Sequence, residues 1–246
     1  MGSANTGDKA ISKVAELGLA SQLDQADNLD VNVRTNPLDL MQGEIDSVSV
    51  KGDGLVMKKE LRAEKLRIET GRISINSIKA AMGNIELTQP TDARMLVVLK
   101  EEDIQNAFNS KYIKDKLENL EINCEGKKVK TKIKQVKFTL LGEGKVGLEA
   151  DIYLVNQDSY ETISLTAAPE INNSGNCINL SSVEYLESVN SNSEVAKAII
   201  ESAEEILDLR NFELDTMSLR VRKLDVKLGK LIIEADAEVK DFPQAS

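Results

Sequence analysis

The chemistry open to this chain is limited first by the side chains that it lacks. Its 246 residues include no His and only two Cys, Cys124 and Cys177. A Ser-His-Asp triad, a His general base and a His-ligated zinc or haem are therefore excluded. Two Cys are too few for a metal site made of Cys alone, and two unpaired thiols are favoured over a single disulfide. We expect neither a metal nor a cofactor.

One glycine motif has the spacing of a nucleotide-binding loop. Residues 142–147 match G-x-G-x-x-G, the pattern in which a helix N-terminus receives the pyrophosphate of a dinucleotide. That function requires a helix directly after the glycines. Residues 148–154 instead alternate apolar and polar side chains, which is typical of a strand. The motif therefore predicts a glycine-rich hairpin between two strands.

Carboxylates could still support hydrolysis, because two acids suffice for glycoside chemistry. The run Glu101-Glu102-Asp103 is better explained as the first turn of a helix, where negative charge favours the helix dipole. Sites for sugars also tend to gather aromatic platforms, whereas this chain has four Tyr, four Phe and no Trp. A His-free hydrolase or glycan-binding enzyme is the weakest alternative, and we assign no catalytic residue.

Charge is distributed unevenly along the chain. The net charge is −10, which argues against nucleic acid as a partner because phosphate binding needs a basic surface. Residues 51–72, 111–137 and 219–230 together hold 21 basic and 9 acidic side chains, so these windows carry +12 and the rest carries −22. Such asymmetry can attract one part of an acidic protein to an anionic surface.

The most regular basic window contains a row of lysines. Alternate residues of a strand lie on one face, so four lysines at every second position would form a comb roughly 20 Å long. Two explanations stay open: the comb protects a sheet edge from mispairing, or it docks to the anionic headgroups of a membrane. The predicted membrane-docking residues are Lys128, Lys130, Lys132 and Lys134.

Hydrophobic periodicity places three helices in an otherwise strand-like sequence. Helical spacing covers residues 11–23, 101–110 and 194–210, the last with an apolar stripe. The stripe consists of Val195, Ile199, Ser202, Ile206 and Leu209. Most other apolar residues alternate with polar ones in roughly a dozen strands without a βαβ rhythm, which predicts an antiparallel α+β fold. The alternation changes phase at Lys134-Gln135, which predicts a β-bulge.

No linker or change in composition divides the chain. We expect one domain over residues 11–240, preceded by a disordered segment (1–10) and followed by a short tail (241–246). The longest apolar run, residues 95–99, is far shorter than the roughly 20 residues of a membrane-spanning helix. No signal peptide is visible in residues 1–10.

The apolar faces of the predicted strands consist mostly of aliphatic residues and contain few aromatic ones. Such faces can form either a filled core or an apolar groove. Methionines are adaptable gap-fillers that suit a flexible ligand such as an acyl chain, although core packing is the commoner role of each one. The predicted lipid-binding residues are Met41, Met57, Met82, Met95, Val97, Ile104, Phe108, Val195, Ile199 and Ile206.

Four segments carry a resemblance to a known family. The longest is residues 31–48, with the sequence VNVRTNPLDLMQGEIDSV, and the others are residues 52–55, 61–66 and 85–90. With these segments the chain resembles the LmeA-like phospholipid-binding family, most of all its branch from photosynthetic bacteria, over roughly residues 10–240. The shared pattern of Pro, Gly and Asp is that of a strand and turn, and it is structural rather than catalytic.

The resemblance implies a tubular lipid-binding fold, in which a curved antiparallel sheet wraps long amphipathic helices around an apolar groove. It also implies binding or transfer of phospholipid without catalysis. Members of the family are often exported or membrane-anchored, whereas this sequence shows neither signal nor anchor. We expect a location in the cytoplasm or peripheral to the inner or thylakoid membrane, with export left open if a targeting segment was removed.

Two functions of different classes are compatible with these features. The first is a lipid-binding module that holds phospholipid or fatty acid between sheet and helix and transiently meets anionic membranes through its lysines. The alternative is a structural or scaffold protein with a filled core and no small-molecule ligand. Lipid that is recovered with the purified protein, or taken up by it, would distinguish the two.

Overall fold

The computed structural model describes residues 6–21, 23–57, 61–81, 86–110, 120–124, 126–186, 195–197, 200–201, 204 and 217–240. In this part of the chain the fold is mainly β, and all strand pairs are antiparallel. The antiparallel prediction is therefore confirmed. The helices are few, and the longest of those described has 15 residues. A sheet wrapped around long helices is thus not the arrangement of these residues.

The elements follow one another along the chain with strands predominating. In chain order the strands are β1 (Leu23–Gln25), β2 (Asn28–Arg34), β3 (Glu44–Ile45), β4 (Ser47–Met57), β5 (Leu61–Thr70), β6 (Ile73–Ser74), β7 (Thr91–Lys100), β8 (Leu120–Cys124), β9 (Lys127–Gly142), β10 (Lys145–Leu154), β11 (Ser159–Ile171), β12 (Ile178–Tyr185), β13 (Met217–Lys227) and β14 (Lys230–Val239). The helices are α1 (Thr6–Ala20), α2 (Pro37–Met41), α3 (Ser77–Ala81) and α4 (Glu101–Asn109). Residues 195–197, 200, 201 and 204 are also helical and lie within the predicted helix 194–210.

Two large sheets and one small strand pair organise the fold. The first sheet has the order β1-β4-β5-β7-β14-β13, with β2 also paired to β4. The second sheet has the order β12-β11-β10-β9-β8, and β3 pairs only with β6. Because β7 pairs with β14 along its whole length, the first sheet unites residues 23–100 with residues 217–239.

The helix α1 begins and ends earlier than predicted. Its end is marked by Ser21, whose N–H donates to the Leu17 carbonyl at 3.1 Å and whose hydroxyl donates to the Gly18 carbonyl at 2.7 Å. The predicted start at Ile11 was late because residues 6–9 contain no apolar side chain to extend the periodicity. The helix α4 matches its prediction closely, ending one residue earlier.

The strand β9 contains the predicted bulge. Ile152 of β10 is the partner of Ile133, and the preceding Asp151 is the partner of Gln135, so Lys134 is the extra residue. The bulge restores the phase of the strand, because Val129 before it and Leu140 after it are both buried. The lysines on the opposite face remain exposed.

The glycine motif forms the predicted hairpin, and a strand rather than a helix follows it. Residues 143 and 144 form the turn between β9 and β10, and both have positive φ, as does Gly142 at the end of β9. A Cβ atom on Gly142 (φ +81°) would lie 3.2 Å from the backbone nitrogen of Leu228 in the β13–β14 turn. This glycine is therefore needed for its conformation and for the close approach of a second hairpin.

Buried apolar side chains form two separate cores. Core 1 lies on the inner face of the second sheet and includes Val226 of β13 and the helical residues Val195 and Ala196. Core 2 is built from β2, β4 and the β3–β6 pair, with Ala15 of α1 packed against it. Both cores consist almost wholly of Ile, Leu, Val and Ala, as the scarcity of aromatic residues requires.

A free edge of β9 is closed by two side chains of α4. The Gln105 amide donates to the Val136 carbonyl at 2.7 Å and accepts the Phe138 N–H at 2.9 Å. The Glu101 carboxylate accepts the N–H of Leu140 at 2.7 Å. Two residues one helical turn apart therefore satisfy backbone groups at every second strand position.

Other strand edges are closed in the same way. The Ser12 hydroxyl of α1 accepts the N–H of Val33 on β2 at 2.9 Å. The carboxylate of the helical residue Glu204 accepts the N–H of Leu180 on β12 at 2.7 Å. The helices are thus fixed at the margins of the sheets by hydrogen bonds to strand backbone.

Turns of the second sheet close the edge of β13 and so join the two sheets. The Val221 N–H donates to the Gly175 carbonyl at 2.7 Å, and the Gly144 N–H donates to the Val226 carbonyl at 3.3 Å. A Cβ atom on Gly175 (φ +75°) would lie 2.7 Å from the Val221 carbonyl oxygen. The junction therefore depends on two turns whose backbones approach β13 directly.

We expect Gln105→Ala to destabilise the protein. The change leaves the Val136 carbonyl and the Phe138 N–H without their partner, and an unsatisfied polar group in a part-buried site costs about 1–3 kcal/mol. Urea unfolding at neutral pH measures the loss. Gln135→Ala is the matched control, because Gln135 is an exposed glutamine of β9 itself. Equal unfolding midpoints for the two variants would show that α4 does not hold this edge.

Candidate functional site

One face of the first sheet is aliphatic across four strands. Val97 on β7 lies between its partners Leu66 on β5 and Ile233 on β14. Ile233 in turn pairs with Leu224 on β13. Neighbouring strands are about 4.8 Å apart, so this row extends for about 14 Å across the sheet.

The row belongs to a larger apolar surface, because Met95 and Leu99 flank Val97 on the same face of β7. We name this surface the middle aliphatic face. It consists of Leu66, Met95, Val97, Leu99, Leu224 and Ile233. All six side chains are half-buried.

The middle aliphatic face lies between the two cores. The partner of Leu99 is Leu231, which packs against core 1, and the partner of Met95 on β5 is Ile68, which packs against core 2. Within the residues that the structure describes, the six residues of the face belong to neither core. Apolar surface therefore remains there that the cores do not use.

Small residues continue the face beside Met95. Ala235 is the partner of Met95, and Ala93 pairs with Ala237 in the next row. The three alanines are buried, with exposures of 8%, 4% and 4% respectively. Each presents only a methyl group and is covered by its neighbours, so the face is closed at this end.

Four charged side chains lie at one end of the middle aliphatic face. Arg62 of β5 donates to both carboxylate oxygens of the buried Asp103 at 2.9 and 3.1 Å. Glu64, on the same face of β5 as Leu66, lies 2.9 Å from Lys100 and 3.3 Å from Arg62. This ion cluster ties the first turn of α4 to the first sheet.

Within the ion cluster, the pKa values of Arg62, Glu64 and Lys100 are shifted toward the charged forms. The hydrogen bond from Lys100, with a smaller contribution from Arg62, lowers the pKa of Glu64 from its ordinary 4.5. Asp103 raises the pKa of Arg62, and Glu64 raises that of Lys100. Groups held in their charged forms stabilise ion pairs and are poorly suited to exchange protons near neutral pH. The cluster therefore has the character of a structural tie.

The described residues offer few other features that are typical of a functional site. A charged depression lined by Glu69, Arg94 and Asp236 lies on the opposite face of the first sheet. No group of three or more Cys, Asp or Glu side chains in the described part of the chain could hold a metal ion. None of the helices described is long and apolar enough to cross a membrane.

Of the ten predicted lipid-binding residues, the structure places two on β7 in the middle aliphatic face, namely Met95 and Val97. Met41, at the end of α2, is 79% exposed. Met57 is the last residue of β4, and its side chain lies outside the described residues, as does Met82. The methionines are therefore not shown to share one site.

The predicted ligands from the helices lie mainly at core 1. Ile104 of α4 packs against that core, and the Phe108 ring lies 5.9 Å from the ring of Phe138. Val195 is a core member with 1% exposure. Ile199 and Ile206 lie outside the described residues.

The predicted lysine row is exposed on the outer face of the second sheet. All four of its side chains, Lys128, Lys130, Lys132 and Lys134, are exposed along β9. The strand β8 pairs with residues 127–131, so β9 is not an edge strand where the row begins. Protection of an edge therefore does not explain Lys128 and Lys130.

Four residues of the middle aliphatic face were missed as site residues. Leu66, Leu99, Leu224 and Ile233 were recognised only as parts of alternating strands. Alternation shows which side chains share a face of one strand, but it does not show which strands are neighbours. The pairing of β7 with β14 is the information that was lacking.

Comparison with known proteins identifies one family. The family model described as LmeA-like phospholipid-binding matches residues 3–236, nearly the whole chain. No curated protein and no solved structure matches the chain. The matched region contains all six residues of the middle aliphatic face.

The lowered pKa of Glu64 predicts a component of acid sensitivity. The pKa of Glu64 is lower in the folded state than in the unfolded state, so the unfolded chain binds more protons at pH values between the two. The stabilisation of the fold by the charged Glu64 is therefore present above about pH 4.5 and is lost below it. We expect Glu64→Gln to be less stable at pH 7 and to lose less stability on acidification. Urea unfolding at a series of pH values measures both effects.

Glu69→Gln is the control, because Glu69 is an exposed glutamate of the same strand with an identical change in charge. Wild-type and Glu64→Gln proteins with the same slope of stability against pH would contradict the assigned role of Glu64.

Proposed function

Since the chain belongs to the LmeA-like phospholipid-binding family, we propose that it binds phospholipid or fatty acyl chains on the middle aliphatic face, without catalysis. The observation that carries this proposal is the position of that face. Six half-buried aliphatic side chains lie between two cores and belong to neither in the described part of the chain. An acyl chain is a ligand that such a surface can bury.

The affinity of the face for an acyl chain comes from apolar contact. Each methylene group removed from water contributes about 0.8 kcal/mol, so a chain lying along the 14 Å row, an extent of about three strand spacings, gains several kcal/mol. The row Leu66, Val97, Ile233 presents no polar atom to the ligand. The unbranched side chain of Met95 adapts to ligands of different shape.

Transfer of lipid additionally requires contact with a membrane. We assign this contact to the lysine row from Lys128 to Lys134, with anionic headgroups as the transient partner. The row lies on the second sheet, whereas the middle aliphatic face lies on the first. In this proposal the protein meets the membrane with one sheet and shields acyl chains with the other.

The double variant Val97→Thr/Ile233→Thr tests the acyl-binding proposal. The two residues are partners on the middle aliphatic face, and threonine adds a hydroxyl to each position. We expect the variant to take up less phospholipid than the wild type from phosphatidylcholine vesicles, because the hydroxyls must be desolvated under an acyl chain. Native mass spectrometry after removal of the vesicles counts the bound lipid.

The matched control is Val98→Thr/Ile232→Thr. These residues are also partners on β7 and β14, are also half-buried, and face the opposite side of the sheet. If both double variants take up the same amount of lipid, the middle aliphatic face is not the acyl-binding site. Absence of lipid from the wild type, together with equal destabilisation of both variants, would favour a structural protein with a filled interior.

A further inference from the structure

Lysines with and without carboxylate partners are segregated on the outer face of the second sheet. Lys128 lies 3.6 Å from Glu121, Lys137 lies 3.9 Å from Glu149, and Lys145 lies 3.5 Å from Glu184. Three other lysines on this face have no carboxylate oxygen within 4.0 Å of their amines, among the residues that the structure describes. These are Lys130, Lys132 and Lys134.

The unpaired positive charge is unexpected in a protein of net charge −10. Carboxylates are present on this face, where Glu121, Glu149 and Glu184 pair with Lys128, Lys137 and Lys145. Three adjacent lysines without such partners repel one another, and an external anion relieves the repulsion. Edge protection does not explain Lys130, because β8 pairs with it on one side and the Val155 N–H donates to its carbonyl on the other. Lys132 and Lys134 lie beyond the residues that pair with β8, and for these two the binding test below distinguishes docking from edge protection.

Two tyrosines extend the lysine row sideways across the sheet. Lys132 is the partner of Tyr153, and Tyr153 is the partner of Tyr160. The two ring centroids are 4.9 Å apart, and Tyr160 is 71% exposed. The Tyr153 hydroxyl donates to Asp158 at 2.6 Å, which fixes the ring. Basic side chains and exposed tyrosines therefore share one surface.

We infer that this surface docks the protein to an anionic lipid bilayer. We name it the lysine–tyrosine surface, formed by Lys130, Lys132, Lys134, Tyr153 and Tyr160. The inference deepens the proposed lipid function, on which it rests for the choice of a bilayer as partner. The lysines bind the anionic headgroups, and Tyr160 lies at the headgroup level, where amphipathic aromatic rings are enriched.

Docking and acyl binding use different residues. The lysine–tyrosine surface is on the outer face of the second sheet, whose inner face fills core 1. The middle aliphatic face is on the first sheet. Loss of docking is therefore expected to leave the capacity for lipid unchanged, and failure of one assignment can be told from failure of the other.

The test is co-sedimentation with vesicles of phosphatidylcholine, alone or with about one third phosphatidylglycerol. We expect wild-type protein to bind the anionic vesicles at low salt and to be released as the Debye length falls toward about 3 Å in 1 M salt. Lys130→Gln/Lys132→Gln/Lys134→Gln should lower binding on the order of 100-fold, since each lysine near the surface contributes about fivefold. Tyr160→Ala should also weaken binding, whereas Tyr185→Ala on β12 should not.

The matched control is Lys137→Gln/Lys145→Gln/Lys223→Gln, which removes the same charge from lysines that have carboxylate partners. Binding of this control at the wild-type level supports the surface. If the control loses as much binding as Lys130→Gln/Lys132→Gln/Lys134→Gln, the inference is overturned, because net charge alone would then explain the binding. The inference is also overturned if Lys130→Gln/Lys132→Gln/Lys134→Gln binds as well as the wild type. Lys132→Glu alone repeats the test if the triple variant melts at a lower temperature.

Lipid counted by native mass spectrometry separates this inference from the proposed function. A protein that has lost docking but binds the same amount of lipid at equilibrium, reached more slowly, shows that the two surfaces act independently. Wild-type protein that takes up no lipid but still docks through the lysines would overturn the proposed acyl site and leave the docking surface standing.

Discussion

The fold depends on the requirement that strand edges find hydrogen-bond partners. A free edge presents rows of unpaired N–H and C=O groups. Here Gln105 and Glu101 of α4 complete β9, and Ser12 of α1 bonds to β2. Turns of the second sheet bond to β13 and so connect the sheets. Edge closure thus fixes α1 against β2, and it fixes α4 between β9 and the end of β5 where Arg62 binds Asp103.

In the described part of the chain, apolar side chains are divided between two buried cores and a half-buried face. The second sheet buries its inner face in core 1, and the β2–β4 side of the first sheet buries its face in core 2. Between them, the row through Val97 and Ile233 stays half-buried. Large exposed apolar surface is costly unless it serves recognition. Family membership and this position together are the basis for proposing the middle aliphatic face as the acyl-binding site.

Local features of this structure could be predicted from sequence, and pairings between distant segments could not. The bulge at Lys134 and the hairpin at Gly142 follow from a change of phase and a glycine spacing within one short segment. Leu66 and Ile233 meet through Val97 only because β7 pairs with strands far from it in the chain. The tie between Arg62 and Asp103 is likewise a tertiary contact. Met41 shows the limit of arguing from residue type, since suitability for a groove says nothing about position, and its side chain is 79% exposed.

The central claim is that acyl chains lie on the middle aliphatic face. The most direct measurement is photo-crosslinking with a phospholipid that carries a diazirine near the end of one acyl chain, followed by mass-spectrometric mapping of the modified residues. The structure predicts adducts on the inward-facing residues of β7 and β14, with Met95, Val97 and Ile233 foremost. Adducts confined to other parts of the protein, such as the outer face of the second sheet, would contradict the claim.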